Sequence, residues 1–141
     1  MASKKTSIGA WSRLSQTYQI AQKHCRDALR TSGLTQPQFE VMAQISDEEG
    51  IPLTRIGENM NVTGGNITGI VDRLERNGLV KRKRDGEDRR IIRAFFTAKG
   101  KRLYQKATPS YDRFLKSAFG STSDAELKRL EKSLTKLKLT D

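Results

Sequence analysis

Residues 53–63 read Leu-Thr-Arg-Ile-Gly-Glu-Asn-Met-Asn-Val-Thr, and residues 64–80 continue Gly-Gly-Asn-Ile-Thr-Gly-Ile-Val-Asp-Arg-Leu-Glu-Arg-Asn-Gly-Leu-Val. Thr54 is placed to cap a short helix that carries Ile56 and Met60. Asn61-Val62 then makes a turn, and Thr63 is the N-cap expected of a second helix. On that helix Ile67, Ile70, Val71 and Leu74 recur at steps of three and four, a spacing that puts all four on one face. Asn77-Gly78 stops it. Two short helices joined by a tight turn are a helix-turn-helix.

Reading outward, Leu79 to Arg84 and Arg89 to Phe96 are two β-capable runs around the loop Asp85-Gly86-Glu87-Asp88, which predicts a hairpin. Ile92, Ala94 and Phe96 share one face of its second strand. A basic hairpin directly after a helix-turn-helix makes a winged helix. On the N-terminal side, Ile8, Trp11, Leu14, Tyr18, Ala21, Cys25 and Ala28 predict a helix over 8–30 that ends at Gly33. Thr35 then caps a helix with Pro37 in its first turn and Phe39, Val41, Met42 and Ile45 on its apolar face. Ile51-Pro52-Leu53 reads as extended, because a proline pushes the residue before it toward β geometry. On the C-terminal side Thr97 opens a long helix that Pro109 should bend. Ser123 and Glu126 form a capping box for a last helix striped with Leu127, Leu130, Leu134 and Leu137. The expected fold is mainly α with a small β-hairpin. The divisions are 1–33 as an N-terminal helix, 34–100 as a winged helix-turn-helix with its wing at about 79–97, and 101–141 as C-terminal helices.

The 141 residues carry 27 Lys+Arg against 16 Asp+Glu, a net charge of +11 that calls for an anionic partner. The charge is local. Residues 79–106 hold eleven basic and three acidic side chains, so +8 of the +11 falls on the hairpin and the start of the next helix. That density fits a phosphate-binding footprint better than a solvated surface. Apolar content is 35%, below the usual ~45–50%, so burial must be efficient or completed by a second subunit. No apolar run approaches the ~18 residues of a membrane span, and no signal peptide is visible, so the chain is expected in the cytoplasm. One His, one Cys and no paired carboxylate motif argue against an enzyme. No metal site and no cofactor are expected, and Gly64-Gly65 lacks the Gly-Lys-Ser/Thr of a nucleotide-binding loop.

The helix over 63–77 offers Gly65, Asn66, Gly69 and Arg73 opposite its apolar face, with Thr63, Gly64 and Thr68 at the margins. A recognition helix needs such a division, one face in the core and the other in the major groove. Each mid-helix glycine costs about 1 kcal/mol relative to alanine. Three on one face point either to close approach of the backbone to DNA or to drift at a tolerant surface. Asn66 is the best base reader, since its amide pairs bidentately with adenine, and Thr68 suits a thymine methyl. So few long side chains leave room for DNA shape to carry specificity. Arg73 either meets phosphate or pairs with an acid of its own helix. Thr54 and Arg55 are phosphate candidates, as are Lys83 and Arg84 in the basic strand.

The stretch from Leu34 to Gly100 resembles the MarR family of bacterial transcription regulators. The resemblance rests on Val71-Asp72-Arg73-Leu74-Glu75 with Gly78-Leu79-Val80, on Asp88-Arg89-Arg90 in the wing, and on Thr97-Ala98-Lys99-Gly100 at the next helix, in order and at family spacing. Family membership implies a homodimer built from the first and last two helices, with two winged lobes on the double-stranded DNA of a pseudo-palindromic operator. By the same resemblance Arg90 reaches toward the minor groove and Asp88 orients it, while Arg89 faces solvent or phosphate. The resemblance also implies release by a small phenolic or lipophilic effector, in a cleft whose aromatic candidates are Trp11, Tyr18, Tyr104 and Tyr111. Some relatives sense oxidation through a cysteine. Cys25 lies on an apolar stripe, where a free cysteine more often serves as a small hydrophobe. The competing function is a nonspecific architectural nucleic-acid binder using the same winged helix.

Overall fold

Side-chain caps set the start of most helices of this chain, as its computed structural model, which describes residues 1–137, makes plain. The helices are α1 (Lys4–Leu29), α2 (Gln36–Asp47), α3 (Leu53–Met60), α4 (Gly64–Arg76), α5 (Ala98–Phe119) and α6 (Asp124–Thr135), and the strands are β1 (Ile51–Pro52), β2 (Val80–Arg84) and β3 (Ile92–Phe96). The side chains of Thr35, Thr63, Thr97 and Ser123 each accept from a backbone N–H in the first turn they precede. Thr35 with Gln38 and Ser123 with Glu126 complete reciprocal capping boxes.

Two expectations are corrected. Helix α1 begins at Lys4 rather than Ile8, because Ser3 accepts from the Thr6 N–H at 3.1 Å. Thr54 caps nothing: Pro52 occupies the N-cap position of α3 without a side-chain bond, and Thr54 lies exposed in the first turn. The hairpin also gains a third strand. Ile51 and Pro52 pair antiparallel with Ala94 and Arg93, giving the sheet order β1-β3-β2. Proline is tolerated there because β1 is an edge strand. Of the segment 101–141, residues 138–141 lie outside the described residues.

The core sits between α2, α3, α4 and the sheet. Val41, Met42, Ile45, Ile56, Val71 and Leu74 are fully buried, each such side chain contributing about 1.5–3 kcal/mol. Two glycines are set by close approach. A Cβ on Gly57 would lie 3.2 Å from Ile67 Cγ1 where α3 crosses α4. A Cβ on Gly100 would lie 2.7 Å from the Leu79 carbonyl carbon and closer still to its oxygen. This second junction is tied further. Thr97 Oγ1 donates to the Gly78 carbonyl at 2.6 Å, Thr97 N to the Leu79 carbonyl at 3.1 Å, and Lys99 Nζ to the Asn77 carbonyl at 2.9 Å. The end of α4 and the start of α5 are therefore one joint.

The terminal helices bury little within the chain. Helix α1 buries Cys25 and Leu29, α5 buries Gly100 and Ala107 and continues through Pro109 unbroken, and α6 buries nothing. Their apolar side chains, including Ile8, Trp11, Ile20, Phe119, Leu130 and Leu134, face solvent.

Candidate nucleic-acid interface

Thr63 starts α4 with its hydroxyl on the Asn66 N–H, and the apolar face of Ile67, Ile70, Val71 and Leu74 goes into the core. Gly64, Gly65, Asn66, Thr68 and Arg73 are left exposed and Gly69 half-exposed. A Cβ added at Gly64, Gly65 or Gly69 would meet nothing within 4 Å. No packing inside this chain requires those three glycines, in contrast to Gly57 and Gly100. The exposed face has two flanks. Asn66 and Arg73 border a hollow shared with Thr35, Pro37 and Gln38 at the start of α2. Thr68, with Thr63 and Gly64, borders a larger groove of about 720 Å³ that reaches Thr54 on α3 and Arg90 on the wing. Arg73 makes no ion pair among the described residues, so of its two expected roles the pairing within α4 is absent. Thr68 donates its hydroxyl to the Gly64 carbonyl at 2.9 Å.

The wing tip is built on Asp85. One carboxylate oxygen accepts from the backbone N–H groups of Glu87 and Asp88 at 3.1 and 3.0 Å, and the other accepts from Arg93 Nε at 2.6 Å. Arg93 in turn donates to the Gly50 carbonyl at 2.9 Å, anchoring the turn to the segment just before β1. The Asp88 N–H, then the Arg93 guanidinium and the Glu87 N–H, hold the Asp85 carboxyl down to about 2. Asp88 grips Arg90 with both oxygens, accepting from Nε at 3.0 Å and from the terminal nitrogen at 2.9 Å. The Arg90 side chain is 90% exposed. An exposed pair of this kind adds little to stability, so its consequence is orientation. The guanidinium is held out from the wing beside the groove that α3 and α4 share.

The basic strand splits by parity. Lys81 and Lys83 lie on one face, Lys83 Nζ 5.4 Å from the centre of the Phe95 ring. Arg82 and Arg84 lie on the other. Arg84 donates to the Arg89 carbonyl at 2.7 Å and so braces the wing tip. Arg82 bonds Asp72 at 2.7 Å and Glu75 at 2.6 Å, both on α4. Arg55 pairs with Glu48 at 2.7 Å, while Arg89 is exposed. Sequence reasoning missed Asp85, Arg93, Arg82 and the acids Asp72, Glu75 and Glu48. A signal existed for Arg82: it shares parity with Val80, whose side chain is buried, and so is turned toward the body.

The four aromatic effector candidates are not brought into one cavity. Tyr104 and Tyr111 pack on Phe39, with ring centres 5.2 and 4.2 Å away. Trp11 and Tyr18 are exposed on α1. A separate cleft of about 530 Å³ lies between α1 and α5, lined by Ile20, Ala21, His24, Arg113, Phe114 and Ser117 among others. Cys25 is 3% exposed, and burial, followed by the nearby Glu40 carboxylate, pushes its thiol up.

A helix-turn-helix, a basic wing and an exposed recognition face define a winged-helix DNA-binding protein. The model of the MarR family matches residues 34–92. The transcriptional regulator HosA of Escherichia coli O157:H7 is 31% identical over 112 residues, covering 79% of this chain and 83% of that one. The chain belongs to the MarR family of DNA-binding transcriptional regulators. Among solved structures, CouR from Rhodococcus jostii RHA1 bound to p-coumaroyl-CoA superposes with a TM-score of 0.81 at 25% identity, covering 99% of this chain and 98% of that one. A mutant MarR from E. coli complexed with operator DNA gives 0.78 at 21% identity, covering 96% and 98%. No helix among the described residues is long and apolar enough to cross a membrane.

Proposed function

We propose that the protein is a cytoplasmic repressor that binds a pseudo-palindromic operator as a homodimer. The observation that carries the reading is the groove shared by α3, the start of α4 and the wing, where Thr54, Thr63, Gly64 and Thr68 face Arg90. In this arrangement α4 enters the major groove, with Asn66 and Thr68 on base edges. Arg90, aimed by Asp88, enters the flanking minor groove, where a narrow A·T tract attracts a guanidinium. Arg55, Arg73, Lys83, Arg84 and Arg89 serve the phosphates, Arg55 by exchanging Glu48 for the DNA backbone. Gly64, Gly65 and Gly69 admit the backbone of α4 to the bases.

The dimer is supported by the placement of exposed apolar surface. Among the described residues the large exposed hydrophobics fall on α1, α5 and the α6 segment, apart from Met1. Large apolar side chains left exposed together on the terminal helices favour an interaction surface there. Release by a small phenolic or lipophilic effector is supported by the cleft between α1 and α5 and by the p-coumaroyl-CoA bound to CouR.

Selection of bound duplexes from a random library tests the function. Two half-sites about one helical turn apart, roughly 34–36 Å, are expected. Recovery of duplexes with no preferred sequence overturns the operator reading in favour of architectural binding. Arg90→Ala should weaken binding to the selected operator while the fold and oligomeric state persist, and unchanged affinity refutes the role given to the wing.

A further inference from the structure

Within the basic run Lys81-Arg82-Lys83-Arg84, whose Lys83 and Arg84 are the phosphate candidates, Arg82 is engaged inside the protein. It sits on β2 opposite Ala94 of β3, on the strand face turned toward the body. Its Nε donates to Glu75 and a terminal nitrogen to Asp72, and its side chain is 30% exposed. Asp72 and Glu75 are three positions apart on α4 and so present their carboxylates side by side. Asp72 follows Thr68 and Gly69 by about one helical turn and Glu75 by about two, on the flank of α4 that meets β2. A planar guanidinium satisfies two carboxylates at once, which an ammonium point charge does not do in the same way.

We infer that Arg82 is a positioning residue for operator recognition. It clamps the recognition helix to the wing strand through Asp72 and Glu75, fixing how α4 lies relative to Arg90, and does not itself bind phosphate. Two sequence-reading elements, the face of α4 and the wing tip, must meet adjacent grooves of one duplex simultaneously. Arg82 joins the first to β2, and Arg84 on the same strand face braces the wing tip through the Arg89 carbonyl. One strand face therefore carries the geometry from helix to wing. Loss of the clamp leaves the phosphate-binding side chains in place but frees the two readers from one another, so it lowers discrimination rather than general affinity.

The inference rests on the operator reading, and the test keeps the two apart by using the library-selected operator and a scrambled duplex of equal length. The main variant is Arg82→Ala with Glu75→Gln, which removes the clamp and leaves the net charge of the cluster unchanged. Expected is a loss of about tenfold or more in operator affinity, with scrambled-duplex affinity and salt slope unchanged. If Arg82 were a phosphate ligand, both affinities would fall together and the salt slope would shrink by about 0.9, the signature of one lost phosphate contact. If the clamp were merely structural, the melting temperature would fall and the operator-to-scrambled ratio would hold. Either result overturns the inference. Asp72→Asn with Glu75→Gln is the second variant, with Arg82 released instead of removed. The ratio should fall there too, and a rise in both affinities at constant ratio overturns the inference. A wild-type protein without preference between the duplexes overturns the operator reading and the inference with it. A discriminating wild type with discriminating variants overturns the inference alone.

Discussion

Gly69→Ala separates the stability of the recognition helix from its use. Gly69 lies within α4, which runs from Gly64 to Arg76, and a Cβ built there meets nothing within 4 Å. Because the added methyl touches no other part of the chain, only helix propensity remains. It favours alanine by about 1 kcal/mol, since glycine loses more backbone freedom on folding. In a chain of this length that raises the melting temperature by about 3–5 °C. Against DNA the sign reverses. If the open space over Gly69 is where a base edge or sugar sits, the added methyl is an overpacking event of about 1–3 kcal/mol, a loss of roughly 5- to 150-fold in operator affinity. The two quantities are read from a thermal melt and from fluorescence anisotropy with labelled operator. Protein concentration is held fixed, because association couples to melting. A melting temperature that stays or falls refutes the reasoning about open space. A raised melting temperature with unchanged affinity refutes close approach, and Gly69 is then a tolerated surface position.

Gly100→Ala should do the opposite, because its Cβ would fall against the Leu79 carbonyl, which the Thr97 N–H already engages. Backbone cannot give way as a side chain does, so a loss of about 3 kcal/mol or more is expected, and a urea midpoint equal to that of the wild type refutes it. Asp85 has a folded pKa of about 2, below its unfolded value. Its contribution to the wing is therefore complete above an unfolded value of about 4 and is lost as pH falls through about 2. A carbon-13 titration of the Asp85 carboxyl checks this, and a midpoint near 4 refutes the hydrogen-bonded turn. Cys25 is buried and its thiol pushed up, so alkylation by iodoacetamide at neutral pH should proceed at the rate of opening rather than that of a free thiol. Modification as fast as glutathione's in the native buffer refutes that burial.

Much of the fold was legible because local chemistry and burial agreed. Thr35, Thr63, Thr97 and Ser123 are helix starts by composition and by structure alike, and the face of Ile67, Ile70, Val71 and Leu74 is the buried face of α4. Thr54 misled because Thr is a favoured N-cap, yet the extended φ and ψ of Pro52 already provide the entry to α3. The third strand was hidden because two residues are too few for an alternating pattern. Its pairing with Ala94 and Arg93 is decided by tertiary proximity across more than forty residues. At the site, residue types named the exposed face of α4 but not which cations are already engaged. Arg82, Arg84 and Lys83 are neighbours in sequence with three different partners, because alternation along β2 and the position of α4 assign them. The aromatic residues are not brought together in the single chain for a related reason. Tyr104 and Tyr111 satisfy their burial on Phe39, whereas Trp11 and Tyr18 lie on a helix that the single chain leaves largely uncovered.

The joint between α4 and α5 has a mechanical meaning. Thr97 and Lys99 hold the Gly78 and Asn77 carbonyls just past the recognition helix, and Gly100 lies against the Leu79 backbone, so the start of α5 is tied directly to the end of α4. Helix α5 then behaves as the handle of a key whose bit is α4. Turning the handle re-aims the bit without bending the shaft. Any displacement of the far part of α5, near Phe114 and Phe119, is therefore handed to the end of α4 through a shared backbone contact and not through a flexible loop.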